Sequence, residues 1–344
     1  MASGSVEGMS VDFRAAIYDQ PHNLAAAADA FESAVGDGDV GALCHGTIVL
    51  SGIGASGHAL IPAMLALRAA GRRAFAVSAA ELGEASAAGL GDAFVLVSQS
   101  GASAETVAAL ECIGDKPVIA ISARGDSPLA RAARVWLPLG PLPDTPVATL
   151  SYTATLQALG MLVDAVLGSD VGRSVWRRLP ELAADVLQRS DPVVEGLAER
   201  FAAIRALDAI GGGPGHASAG EAALLGREAL RLPATGMETR EYLHGPLEAV
   251  SDEFGCIVFG RRRERELAAA LASFGATVAL VTDAARSFDA AVGAQLLELP
   301  SVPAPAAPIL QILPVQLLVD HVARVRGIEI GPLQRQQQDT KVGQ

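Results

Sequence analysis

Hydrophobic positions along this chain follow two spacings that trade places. Short, mainly apolar runs stand at residues 47–51, 74–77, 94–97 and 118–122. Between them the apolar positions recur every three or four residues. In residues 13–34, Ile17, Leu24 and Phe31 share one stripe, and residues 58–67 repeat the pattern. Short apolar runs bounded by turn signals are the mark of buried strands, and the longer period is the mark of helices. Their alternation predicts a parallel sheet covered by helices on both faces. A long helix over 148–167 closes this half. Residues 168–203 read as a polar, helical connector with Trp176, Leu179, Leu182 and Leu187 as its apolar marks.

The pattern then restarts. A strand at 207–210 leads through Gly211-Gly212-Gly213-Pro214-Gly215 into a helix over 218–230. Strands follow at 256–259, 278–281 and 296–299, and a last helix spans 309–325, where Pro314 is expected to impose a kink. The predicted fold is α/β, with two flavodoxin-like domains related by duplication. The expected division is a flexible tail at 1–10, a first domain at 11–168, the connector at 169–203, a second domain at 204–330, and a C-terminal tail at 331–344.

Composition narrows the function. The 344 residues are half apolar but only 4% aromatic, so the core must be aliphatic. A net charge of −12 argues against nucleic acid as a partner. Arg261-Arg262-Arg263, followed by Glu264 and Glu266, reads as a solvated helix start. Three cysteines without a CxxC pair fit a reducing, cytoplasmic setting. No uninterrupted apolar run long enough to span a bilayer is read, and no membrane role is expected. Of the 26 basic residues only Lys116 and Lys341 are lysine, so any amine chemistry falls to one of these two.

The segment Ser98-Gln99-Ser100-Gly101-Ala102-Ser103 carries the clearest chemistry. It links an apolar run to a helical one, so free backbone N–H groups and the positive end of the helix dipole face the loop. Its hydroxyls add neutral donors, and Gly101 permits close approach of backbone to an anion. Without a lysine in the loop, the expected ligand is a phosphomonoester. Gly52-Ile53-Gly54-x-x-Gly57 formally matches a dinucleotide fingerprint. No acidic residue stands near 71–76, although Arg72 and Arg73 would suit a 2′-phosphate.

A second constellation lies downstream. Glu221 and Glu228, seven residues apart, fall on one face of a helix otherwise rich in Ala and Leu. A carboxylate there is either a solvated surface charge or a partly desolvated base. His244 precedes Gly245-Pro246 and reads as a loop histidine free to face a cleft. The other histidines are scattered, with no metal-ligand spacing. The tail from Arg335 to Gln344 is disordered by composition, with Lys341 near its end.

Ser98-Gln99-Ser100-Gly101-x-Ser103-x-x-Thr106 resembles the phosphate loop of sugar isomerase (SIS) domains. Over residues 11–344 the chain resembles the tandem SIS domains of glucosamine-fructose-6-phosphate aminotransferase and its stand-alone deaminase relatives. Ile17-Tyr18-Asp19-Gln20-Pro21, Gly54-Ala55-Ser56, Glu221-(x)6-Glu228 and His244-Gly245-Pro246 carry the likeness. The resemblance implies that Ser56, Ser98, Gln99, Ser100 and Ser103 bind a sugar phosphate, supported by Gly54, Ala55, Gly101 and Glu221. It implies that Glu228 moves a proton between C1 and C2 and that Lys341 closes over the sugar. His244 would assist ring opening from the neighbouring subunit of a homodimer. No metal or redox cofactor is required by such chemistry.

Two departures accompany the likeness. The family's Thr-Lys near the start of the helix closing the first domain is replaced by Val147-Ala148-Thr149-Leu150-Ser151-Tyr152. The usual Asp-x-Pro is replaced around Gly331-Pro332. No glutaminase segment with a leading catalytic cysteine is read, so the expectation is a deaminase/isomerase acting on an amino-sugar phosphate such as glucosamine 6-phosphate. Cleavage of a fructosamine 6-phosphate, or phosphosugar sensing without catalysis, are the alternatives.

Overall fold

The structure, a computed structural model, describes residues 11–36, 40–84, 87–141, 143–169, 173–283, 293–331, 333–335 and 338–342. Residues 1–10, read above as a tail, lie outside the described residues, as do Pro332 and the last two residues of the chain.

The first half runs α1 (Phe13–Gly36), α2 (Val40–Leu43), β1 (Thr47–Gly52), α3 (Ala55–Ala69), β2 (Arg73–Ser78), α4 (Ala79–Glu84), β3 (Ala93–Val97), α5 (Ala104–Ile113), β4 (Val118–Ser122), α6 (Pro128–Ala132), β5 (Val135–Pro138) and α7 (Leu150–Leu167). Two helices, α8 (Arg173–Glu195) and α9 (Ala198–Ala202), lead to the second half. That half runs β6 (Ala206–Gly211), α10 (Gly215–Glu228), β7 (Ala234–Met237), α11 (Thr239–Leu243), β8 (Phe254–Phe259), α12 (Arg262–Ser273), β9 (Thr277–Thr282), β10 (Ala294–Glu298) and α13 (Ala307–Val325).

Each half forms a five-stranded, all-parallel sheet. The orders are β2-β1-β3-β4-β5 and β7-β6-β8-β9-β10, so the two halves share one topology. The strand order reverses between β1 and β3 and between β6 and β8. These are the switch points where open parallel sheets bind ligands. Every residue of β3 and β4 is buried, as central strands covered on both faces require.

The edge strands β5 and β7 were not legible in the pattern. Each is four residues long and only partly buried; β5 ends on Pro138, and β7 follows Pro233 and contains Gly236. An edge strand needs no continuous apolar run, and proline is tolerated there. The kink expected at Pro314 does not end the helix, since α13 continues through it to Val325.

The core joins the halves. α7 and α13 occupy equivalent places after the two sheets, and both are largely buried. By length and composition α7 is apolar enough to cross a bilayer, contrary to the reading of the sequence, but 72% of it is buried inside the protein. Gln20 on α1 donates to Gln316 on α13 (2.7 Å) and accepts from Thr153 on α7 (2.9 Å), a polar stitch at the centre of the core. Asp191 on α8 binds Arg14, Tyr18 and His321 and ties α1 and α13 to the connector.

Candidate active site

A crevice of about 160 Å³ opens at the first switch point, where the β1 and β3 ends meet the start of α7. Three turns build it. The first follows β1: Gly54 takes a positive φ of 59°, and α3 begins at once, so Ala55 and Ser56 sit in its first turn and line the crevice. The second follows β3: Gln99, Ser100 and Ser103 line the crevice, and Ser103 is the N-cap of α5. Gly101 turns this loop with φ 65°, and a Cβ there would fall 2.1 Å from Ser127 Oγ. No other residue fits that bend.

The third turn precedes α7. Asp144 accepts the backbone N–H groups of Thr149, Leu150 and Ser151 and also the Ser151 hydroxyl. This carboxylate satisfies the open end of α7 and fixes Ser151, which faces the crevice beside Tyr152 and Thr155. The C-terminal segment supplies the remaining wall. Lys341 forms an antiparallel bridge with Ser103, and Val342 N–H donates to the Ala102 carbonyl (2.9 Å). The compositional reading of this tail as disordered does not hold for residues 338–342, which fold into a turn against the serine loop.

The serine loop is not uniform. Ser98 is only 2% exposed and does not line the crevice; its Oγ lies 2.9 Å from Ser103 Oγ. Its hydroxyl is thus turned to Ser103 and away from the crevice. Gly54 and Gly101 shape the turns without facing the crevice. Arg72, weighed for a dinucleotide phosphate, donates to the Cys44 carbonyl instead.

Both carboxylates stand on α10, and neither lines the crevice. Tyr152 connects the two places: it lines the crevice, and its hydroxyl donates to the Ala217 carbonyl of α10 (3.0 Å). One helical turn on, Glu221 is fully buried. Glu228 is half-buried at the last position of α10, where the helix dipole disfavours a negative charge. Burial and the nearby Glu221 charge push its carboxyl up to about 7, with His58 opposing. A carboxylate balanced there can accept and return a carbon-bound proton near neutral pH.

His244 is not brought to this crevice within the chain. It caps the end of α11 through its backbone N–H, and its ring is exposed. Sequence reasoning missed Asp144, Ser151, Tyr152 and Thr155 at the rim, and His58 beside Glu221. For His58 a signal existed: it lies two residues after Ser56 on the same helix. Among the described residues no cluster of His, Cys, Asp and Glu could hold a metal ion.

Comparison with known proteins fits this architecture. The SIS domain family matches residues 43–166, which contain all three turns of the crevice. The chain is 30% identical over 262 residues to glutamine–fructose-6-phosphate aminotransferase [isomerizing] of Bradyrhizobium diazoefficiens, covering 70% of this chain. The chain is a SIS-domain protein. Its homology is to the isomerase part of that aminotransferase. The chain spans 42% of the length of that SIS relative, and 41% of the Pyrococcus horikoshii counterpart, which is 32% identical over 248 residues. The SIS fold extends over nearly the whole chain. The C-terminal domain of glucosamine-fructose-6-phosphate aminotransferase from Francisella tularensis superposes with a TM-score of 0.77 at 20% identity, covering 94% of this chain and 98% of that one. Glucosamine-6-phosphate deaminase from Thermotoga maritima gives the same four values.

Proposed function

We propose that the protein is a phosphosugar isomerase of the deaminating kind, converting glucosamine 6-phosphate or a close relative, with one water that hydrolyses the C2 imine, to a ketose phosphate and ammonia. The observation that carries this reading is Glu228, a half-buried carboxyl raised to about 7 on a helix packed against α3, whose first turn lines the hydroxyl-bearing crevice. In this reading Ser56, Gln99, Ser100 and Ser103 hold the phosphate, with Ser98 setting the Ser103 hydroxyl. The phosphate handle fixes the open sugar chain so that C1 and C2 face Glu228. Glu228 takes the proton from one carbon and returns it to the other through an enediol or enolamine. Lys341, on the segment bridged to Ser103, closes the crevice and balances the phosphate charge.

Ring opening needs an acid–base group, and His244 fits that role from a second copy of the chain. The residue is exposed and is not part of its own chain's crevice lining, which supports a homodimer in which each chain completes its neighbour's site. The test is direct: release of ammonia and ketose phosphate from glucosamine 6-phosphate. Absence of turnover at high enzyme concentration, with turnover of a fructosyl-amino acid phosphate, would move the reading to deglycation.

A further inference from the structure

Glu221 is the least expected charge in the molecule. It is completely buried, and neither carboxylate oxygen has a hydrogen-bond partner. Burial raises the Glu221 carboxyl and His58 opposes that rise, so an ionised carboxylate here is costly unless the imidazole compensates it. The group nearest to doing so is His58, whose Nδ1 lies 3.7 Å from Glu221 Oε2 and is itself buried without a partner. That gap is too long for a hydrogen bond and too short for a water between them.

The two residues come from different halves. His58 stands on α3, two residues past Ser56; Glu221 stands on α10, seven residues before Glu228. The backbone is shaped for their approach. Gly220 lies under the imidazole, and a Cβ there would fall 2.7 Å from His58 Cδ2. The titratable groups that face the pair are Glu228 and His216 on α10, Asp144 ahead of α7, and Tyr152 on α7. On the other side of His58, Val77 and Ser78 bring no charge.

We propose that His58 is a positioning residue that carries a proton for Glu221, so that the two side chains form one neutral, charge-separated pair locking α3 to α10. The pair ties the turn that holds the phosphate to the helix that carries the base. Its proton balance also bears on Glu228, because the Glu221 charge raises that carboxyl and the His58 charge lowers it. This rests on the assignment of Glu228 as the base, but its consequence can be read without turnover.

The experiment is a carbon-13 carboxyl titration of Glu228 in the full-length protein, labelled at glutamate and assigned with Glu228→Gln. It is run beside the pH dependence of kcat/KM. His58→Leu is expected to move the Glu228 midpoint and the acid limb to higher pH, and Glu221→Gln to lower pH. In the double variant the His58 effect should vanish, because the imidazole carries the proton only as the partner of that carboxylate. His58→Gln, which donates but cannot carry the proton, should preserve stability and still show the upward shift; it bears the test if His58→Leu does not fold. Unchanged midpoints in both single variants, or additive shifts in the double variant, would overturn the proposal. Shifted midpoints in a protein that turns over no phosphosugar would leave the pair standing and remove the proposed function instead.

Discussion

After β3, six residues (98–103) separate strand from helix; after β8, only Gly260 and Arg261 do. The two crevices stand at equivalent switch points of equivalent sheets, yet this difference gives them opposite chemistry. The longer loop leaves room for a ring of hydroxyls and for Gly101. The shorter one brings Glu264 back to the start of α12, where it accepts the Arg261 backbone N–H (3.2 Å) and the Thr239 hydroxyl (2.9 Å). Arg261, meanwhile, is paired with Asp283. The second crevice is larger, about 580 Å³, but its helix end is filled by the protein's own carboxylate and its cation is neutralised. Volume favours the second crevice and donor chemistry the first. For a phosphomonoester, donor chemistry decides. The two halves share one topology, and loop length decides which crevice offers free donors; in the proposed function that crevice holds the phosphate and the other half lends its helix to the base.

That contrast can be broken most severely at Gly101. Gly101→Ala forces a side chain into positive φ and against Ser127; phosphosugar affinity measured by calorimetry should fall by about 100-fold or more. Next, Ser100→Ala or Ser103→Ala removes one hydrogen bond to a charged ligand, about 1.5–3 kcal/mol, or roughly 10- to 100-fold in Kd. Ser98→Ala should cost less, about 0.5–1.5 kcal/mol, because its hydroxyl acts through Ser103. Equal effects at Ser98 and Ser103 would show that both touch the phosphate.

Glu228 acts on stability instead of affinity, with a definite sign. Its folded carboxyl titrates near 7, above the value of 4.5 for a free glutamate. The folded state therefore keeps a proton that the unfolded state loses. This contribution is fully present below about pH 4.5 and is lost as pH rises to about 7. Glu228→Gln should accordingly gain about 1–3 kcal/mol relative to the parent between pH 4.5 and pH 8, allowing for solvent access. Urea unfolding at the two pH values measures it. Smallest of all, Arg261→Ala in the second crevice should change phosphosugar affinity less than twofold; a loss comparable with that at Ser103 would undo the comparison.

The sheets and helices were legible because central strands and long helices obey their periods. The edge strands β5 and β7 were not, since partial burial relaxes the pattern. The serine loop was legible as a hydroxyl-bearing turn between strand and helix, but not the difference between Ser98 and its neighbours. Which hydroxyl turns inward depends on the backbone path around Gly101, and sequence spacing does not encode that. Glu221 and Glu228 were placed on one face by their spacing, whereas the contrast between full and partial burial came from α3 and α7, which pack from the other half. His58 and Tyr152 escaped notice for the same reason: each meets α10 only through tertiary packing.

The central claim is a division of labour, with phosphate held by the first domain and the proton moved by Glu228 of the second. Deuterium incorporation tests it most directly. Incubated in heavy water with a hexose phosphate, the protein should place deuterium at C1 or C2 of the sugar, read by mass spectrometry. Glu228→Gln should bind the phosphosugar with a Kd within a few-fold of the parent and slow incorporation by about 10²–10⁴-fold. Incorporation by Glu228→Gln at the parental rate would contradict the account.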